Sequence, residues 1–488
     1  MAYTGRREIY TDEIEITSGN IAKVLEAAFV THGQNEAEIK YLQEYEKGVQ
    51  PILNRVKEVR PEINNRVVEN HAAEITAFKV GYVFGSPITY VQRSSDDASE
   101  GRVNDGDIAL LNEMMYEEGK VAQDQALGKD LAVTGVGYRI VLPKPKNVIT
   151  GVSVCDVLRL NPRTTFIVRY NNIYRRKALG VSYVELSDGT LRIGAYTESQ
   201  YFELTGGITG NFKVAKVEDN RIGIIPIVEY AQDNEHMGCF ERVLPQLDAL
   251  NLATSDRLNG LEQFVQAILW LNNVEVDSKQ MTELKDKLGL LTRSEPGNPA
   301  SVQYLTATLD QTQTQTLVDY LYEQILQIAG VPGREQATGG NTGQAIMLSN
   351  GWQIAETHAR NLETMFTASE MEVLEIVLKI AKAVLPGKLQ TLRLSDIDVK
   401  FSRNKTDSLL VKTQGLLNQL QAGIHPLVAI THCGLYSDPQ SVWNDSRSYM
   451  GKWLYEAEEG DIDVEDTVPH SGRSGGEDNI ESQPRVQA

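Results

Sequence analysis

The hydrophobic period of this chain changes twice, and that change limits the fold more than any single motif. Apolar residues recur at three- and four-residue steps from about 18 to 80 and again from 234 onward. The stretch between about 131 and 230 instead breaks into short apolar runs separated by turn residues. Helices, then strands, then helices again read as an α+β chain, not as regularly alternating βα units.

In the first helical part, "NIAKVLEAAFVTHGQNEAEIKYLQEYEKG" predicts a helix with a break at His32-Gly33 and a stop at Gly48. A second helix is expected after Pro61, with Ile63, Val67, His71, Ile75 and Phe78 on one stripe and Gly81 as its left-handed stop. Pro87 then forbids helix and opens the strand "ITYVQ". A charged helix is predicted over 107–128. Strands follow in "DLAVTGVGYRIVL", "TTFIVRYN", "ALGVSYVELSDGTLRIGAYT", "SQYFELTG", "NFKVAKVED" and "GIIPIVEY". Asp188-Gly189 predicts a hairpin with a primed turn.

From 234 the stripe Phe240, Leu244, Leu247, Leu250, Leu258, Leu261, Val265 and Ile268 predicts a long helix, with Pro245 in its first turn or at a kink. Residues 272–308 read as a small insert: a strand, the charged helix "SKQMTELKDKLG", a Gly-Pro loop and a second strand. Another helix follows Asp310 with Leu317, Leu321, Ile325 and Ile328 on one face, beginning in the uncharged run "QTQTQT". A helix over 343–384 and a helical hairpin broken at Gly423 and Pro426 complete the folded part.

Charge and cysteine usage narrow the function. The chain carries 47 Lys and Arg against 66 Asp and Glu, a net charge of −19, so overall attraction to nucleic acid is excluded. From Glu456 to the end there are ten acids and two arginines, which predicts a disordered, solvated tail. No apolar run reaches the roughly 18 residues of a membrane-spanning helix, and "MAYTGRREIYTDEIEITSGN" carries no apolar core of a secretory signal. Cys155, Cys239 and Cys433 lie far apart, which points to a reducing compartment.

No motif announces catalysis. "VGYVFGSPITY" (80–90) and "TGVGYR" (134–139) lack the lysine and following helix of a phosphate loop. "GREQATGGNTGQA" (333–345) enters a helix but has no lysine after its glycines. It reads either as a connector with Asn341 or Thr342 as N-cap, or as a polar loop that touches another molecule. His425, His432 and Cys433 supply too few ligands for zinc. No catalytic residue, metal ligand or cofactor site is assigned.

The order of several longer strings resembles one family. "YEKGVQPILNR" (45–55), "INNRVVENHAAEITAFKVGYVFGSPITY" (63–90), "NPRTTFIVRYNN" (161–172), "PIVEY" (226–230), "LDALNLATSDRLNGLEQF" (247–264) and "GVPG" before a glycine-rich loop resemble tailed-bacteriophage portal proteins of the long, non-contractile tail type. The resemblance spans about residues 18–450.

The resemblance implies an α+β portal-type subunit. Residues 1–233 would be a wing, 234–271 and 309–330 stem helices, 272–308 a clip and 331–344 a tunnel loop. Residues 345–400 would form the long wing helix and return strand, 401–455 a crown, and 456–488 the acidic tail. "VGYVFGSPITY" would join a peripheral helix to the first wing strand, with Tyr82 and Phe84 packed between its glycines.

It implies a homo-oligomeric ring of about twelve subunits at the capsid vertex of the virion, assembled in the host cytoplasm. Its expected partners are double-stranded DNA in the channel, terminase, a head–tail adaptor, and the major capsid and scaffolding proteins; no membrane is involved. The ring contacts would fall on Leu247, Leu258, Leu261, Val265, Leu317, Leu321 and Ile325. Lys279, Lys285, Lys287 and Arg293 would serve as the clip contact, although they read equally well as a solvated helix face. Arg334, Gln336, Thr338, Gly339, Gly340, Asn341 and Thr342 would meet DNA through weak contacts, as would "QTQTQT". Without the resemblance, two other classes stay open: an intracellular scaffold or adaptor with no closed ring, and an enzyme with a β-rich substrate domain.

Overall fold

In the computed structural model the described residues are 5–93, 105–145, 147–149, 151–207, 210–265, 268–272, 301–305, 311–333, 351–403, 409–436 and 439–446. They fall into two compact units, residues 1–408 and 409–488.

Helix α1 (Ile21–Glu46) runs unbroken through His32-Gly33, where a break was expected. The side chain of His32 explains the continuity. It is buried on the helix face that includes Ile21, Val24, Leu25, Ala28 and Ile39, and its ring lies 4.3 Å from that of Phe166. Burial holds the imidazole down at about 4. The expected stop at Gly48 is present. Gly48 takes φ +92°, and Val49 N–H donates back to Glu44 O at 2.9 Å, closing the helix with a left-handed cap.

Helix α2 is shorter at its start than expected, spanning His71–Phe84. It also passes through Gly81 and ends only at Gly85, because Val83 and Phe84 are both buried. The expected charged helix is two: α3 (Asp105–Glu117) and α4 (Lys120–Thr134). Gly119, at φ +63°, turns the chain between them. Residues 130–134, read as strand, belong to α4, whose Leu127 and Leu131 share one buried face.

Among the described residues the strands form four sheets. The largest has the order β1-β5-β6-β7-β8-β9, built from β1 (Ile9–Thr11), β5 (Thr165–Tyr170), β6 (Lys177–Glu185), β7 (Leu191–Tyr196), β8 (Gln200–Gly207) and β9 (Gly210–Asp219). β1 pairs parallel to β5 and the rest are antiparallel. Alternate side chains, among them Leu191, Ile193 and Ala195, pack against α1. The turn between β6 and β7 is not primed. Only Gly189 takes positive φ (+77°), and Asp188 instead accepts a hydrogen bond from Thr190 N–H at 2.9 Å.

A second sheet, β10-β3-β4, combines β10 (Ile227–Ala231), β3 (Val136–Pro143) and β4 (Cys155–Leu160). The strand after Pro87, β2 (Thr89–Gln92), does not open the large sheet. It pairs antiparallel with β13 (Ile397–Lys400). Phe84 nevertheless packs as expected, 5.2 Å from Phe366, and Tyr82 stacks on Phe78 at 5.6 Å.

Beneath these elements lies a buried charge cluster. Arg139 on β3 donates to Asp124 of α4 at 2.5 Å and to Glu370 at 3.0 Å. Lys120 lies 3.2 Å from the same glutamate. Tyr90 also donates to Glu370, as does Tyr230 at 2.6 Å. Glu370 sits on the long helix α7 (Trp352–Val384) that crosses this core. Residues 343–351 were expected within that helix; its described start is Trp352, after Gly351 at φ +79°.

In the second unit, α8 (Leu409–Gln421), α9 (Pro426–Cys433) and α10 (Pro439–Ser446) follow one another. The chain breaks between the first two at Gly423 (φ +77°) and Pro426, as the sequence predicts.

Candidate functional site

The element that organises the middle of the chain is α5 (Leu244–Val265), with Pro245 in its first turn. It is shorter than expected. Residues 268–271, expected to end the helix, instead join Asn272 in β11 (Ile268–Asn272), which pairs antiparallel with β12 (Ser301–Leu305). The pairing places a two-stranded neck between α5 and the next helix, α6 (Gln311–Ala329).

The two helices run antiparallel. Leu247 and Leu250, early in α5, cluster with Ile325 and Leu326, late in α6. Arg257, further along α5, donates to Gln315 near the start of α6. Gln315, in the polar run expected to face DNA, is thus engaged within the subunit, and it also donates to Asp319 at 2.6 Å.

The opposite side of α5 is clamped by residues 61–70, which form a turn at 61–62 and then no regular secondary structure, where a helix was expected. Their backbone N–H groups are taken by polar side chains of α5. Asn65 N–H donates to Asn259 Oδ1 at 2.7 Å, Val67 N–H to Ser255 Oγ at 2.9 Å and Glu69 N–H to Asn251 Oδ1 at 2.8 Å.

The match is geometric. Two extended residues advance about 6.6 Å and one four-residue helical step about 6.0 Å, so successive rungs stay in register. All three acceptors are buried. Thr254 Oγ1 adds a bond to Glu69 at 2.5 Å, Asn65 Nδ2 one to Glu262 at 2.7 Å and Arg55 one to Asp256 at 2.6 Å. Sequence reading missed this ladder. Its signal was the four-residue spacing of Asn251, Ser255 and Asn259 along one row of the helix.

The expected ring-contact residues divide. Leu247 and Ile325 are buried inside the subunit, where they form its own core, and Leu321 packs at the edge of that core. Leu258, Leu261 and Leu317 are 42%, 47% and 50% exposed. The side chain of Val265 lies outside the described residues.

So do Lys279, Lys285, Lys287 and Arg293, expected at the clip, and Arg334, Gln336, Thr338, Gly339, Gly340, Asn341 and Thr342, expected in the tunnel loop. A tight turn ends α6. The residue that makes it is Gly330, at φ +64°, with Val331 N–H returning to Leu326 O at 2.9 Å. Lys79 Nζ donates to Gly330 O at 3.0 Å, and burial brings that lysine down to about 8.

Among the described residues, no group of three or more His, Cys, Asp or Glu side chains is placed to hold a metal ion, and no helix is long and apolar enough to cross a membrane. Burial pushes the thiols of Cys155 and Cys239 up to about 12, which leaves neither as a ready nucleophile.

A comparison with curated proteins gave no match. The family described as "Phage portal protein, SPP1 Gp6-like" matches residues 29–459. That range reaches from within α1 to beyond α10 and takes in the neck and both helices that carry it. The chain belongs to the SPP1 Gp6-like family of phage portal proteins.

Proposed function

We propose that this chain is the subunit of a closed ring of about twelve copies, set at one vertex of the capsid. Double-stranded DNA passes through the ring's channel during packaging and ejection. The insert beyond the β11–β12 neck docks terminase and later the head–tail adaptor, and residues 331–344 meet the DNA. The role is structural: terminase supplies ATP hydrolysis, and the ring itself needs no cofactor. Assembly takes place in the host cytoplasm, against the major capsid and scaffolding proteins.

One observation carries this reading beyond family membership. The apolar line along α5 and α6 is closed inside the subunit at Leu247 and Ile325 but left open at Leu258, Leu261 and Leu317. Apolar side chains left half-exposed beside a closed core suit a neighbouring copy, and a head-to-tail contact repeated by rotation closes a ring. The net charge of −19 fits a channel in which DNA slides, since each strongly bound phosphate would act as a brake.

Electron microscopy and native mass spectrometry of the purified chain test the proposal. Closed rings are expected. Leu258→Asp and Leu317→Asp should shift the mass toward monomers without lowering the melting temperature. Compact monomers from the unmutated chain at every concentration would overturn it. Removing 278–290 from intact rings should abolish packaging if the insert docks terminase.

A further inference from the structure

The surface next to the clamp on α5 contrasts with the rest of the molecule. Residues 47–66 carry Lys47, Arg55, Lys57, Arg60 and Arg66 against Glu58 and Glu62, which gives five positive charges and two negative in a chain of net −19. Among the described residues the structure pairs only Arg55 of these bases with a carboxylate, that of Asp256. Between the bases, Val56 and Val59 are 82% and 78% exposed. Two nearby β-branched side chains open to water, amid cations of which Lys57 and Arg66 reach only backbone carbonyls, are unusual on a surface that nothing covers.

The outer face of α6 has the opposite character. Its only charged residues are Asp319 and Glu323, both exposed. Beside them Tyr320 is 57% exposed, next to Leu317.

The two surfaces lie on opposite sides of α5. Ser255 faces the 61–70 segment and Arg257 faces α6. Two residues at about 100° each place those side chains some 160° apart around the helix. Within one subunit the basic segment and the acidic helix face therefore point away from each other. In a head-to-tail ring they come together between neighbours.

We infer that residues 49–66 of one subunit dock on the outer face of α6 of the next copy. Val56 and Val59 cover Tyr320, and Arg60 and Arg66 face Asp319 and Glu323. This rests on the ring reading above and adds which surfaces meet, and in which direction.

Mixing two charge-reversed variants of the full chain tests it. Arg60→Glu with Arg66→Glu makes one variant; Asp319→Lys with Glu323→Lys makes the other. Each alone faces like charges at every contact and should need at least tenfold more protein to assemble. An equimolar mixture restores opposite charges at both kinds of contact, so alternating rings with equal shares of the two chains should form at the unmutated concentration. Raising the salt to 1 M should weaken the difference, because screening shortens to about 3 Å.

As a second probe, Val56→Asp with Val59→Asp alters only exposed side chains and should leave the melting temperature unchanged while shifting the mass to monomers. Rings from the unmutated chain, together with unimpaired assembly of each charge-reversed variant alone, or failure of the mixture to restore rings, overturn the docking and leave the ring reading standing. Monomers from the unmutated chain overturn both.

Discussion

Replacing Glu370 by glutamine tests whether the buried charge cluster holds the first unit together. The carboxylate accepts from Tyr90, from Tyr230 at 2.6 Å and from Arg139 at 3.0 Å, with Lys120 at 3.2 Å. Burial alone would raise its pKa. The charges of Lys120 and Arg139 and the two tyrosine hydroxyls reverse that and hold it at about 2, against an ordinary 4.5. That depression is equivalent to about 3 kcal/mol favouring the ionised, folded form.

Glutamine keeps the volume but turns an N–H₂ donor toward groups that are themselves donors. Two charge-assisted bonds worth about 1.5–3 kcal/mol each are lost, which agrees with the roughly 3–5 kcal/mol cost of breaking a buried ion pair. Glu370→Gln should therefore destabilise the unit by about 3–4 kcal/mol at pH 7, read as a lower urea midpoint by circular dichroism.

The pH dependence follows from the sign of the shift. A carboxylate depressed on folding stabilises above its unfolded value and loses that contribution as pH falls through the folded one. The gap between the two proteins should narrow from about 3 kcal/mol at pH 7 to about 1.5 kcal/mol at pH 3. A loss below about 1 kcal/mol, within the range of ordinary surface substitutions, or a gap that stays constant from pH 7 to pH 3, would refute this account.

Ser255→Ala removes the middle rung of the clamp and leaves Val67 N–H without its acceptor. A loss of about 1–3 kcal/mol is expected, with faster amide exchange at Val67 than at residues of α2. His32 is held neutral at about 4 by burial, so the chain should lose stability as pH falls from 6.5 through 4. His32→Gln should flatten that part of a melting-temperature profile, and an unchanged profile would contradict it.

Sequence alone determined the α+β class, because the switch between a period of 3.6 and one of two survives any tertiary arrangement. It also located strands β5 to β9 of the large sheet, though not β1, the ends of α1 and α8 at glycines, and the apolar line shared by α5 and α6. These depend on local backbone preference and on which face is apolar. The family, too, was legible in the order of short strings.

Tertiary structure decided what local preference could not. The helical pattern of Ile63 and Val67 gives way to a non-helical segment because Asn251, Ser255 and Asn259 offer its backbone better partners than a first helical turn would. Gly33 and Gly81 stay helical because buried neighbours hold the helices through them. Residues 130–134 join α4 because Leu127 and Leu131 share its buried face. Identical leucines on one stripe part company for the same reason: Leu247 meets α6 where the helices close a core, and Leu258 lies beyond it. Whether an apolar side chain becomes core or contact surface depends on what another part of the chain places opposite it, and periodicity carries no record of that.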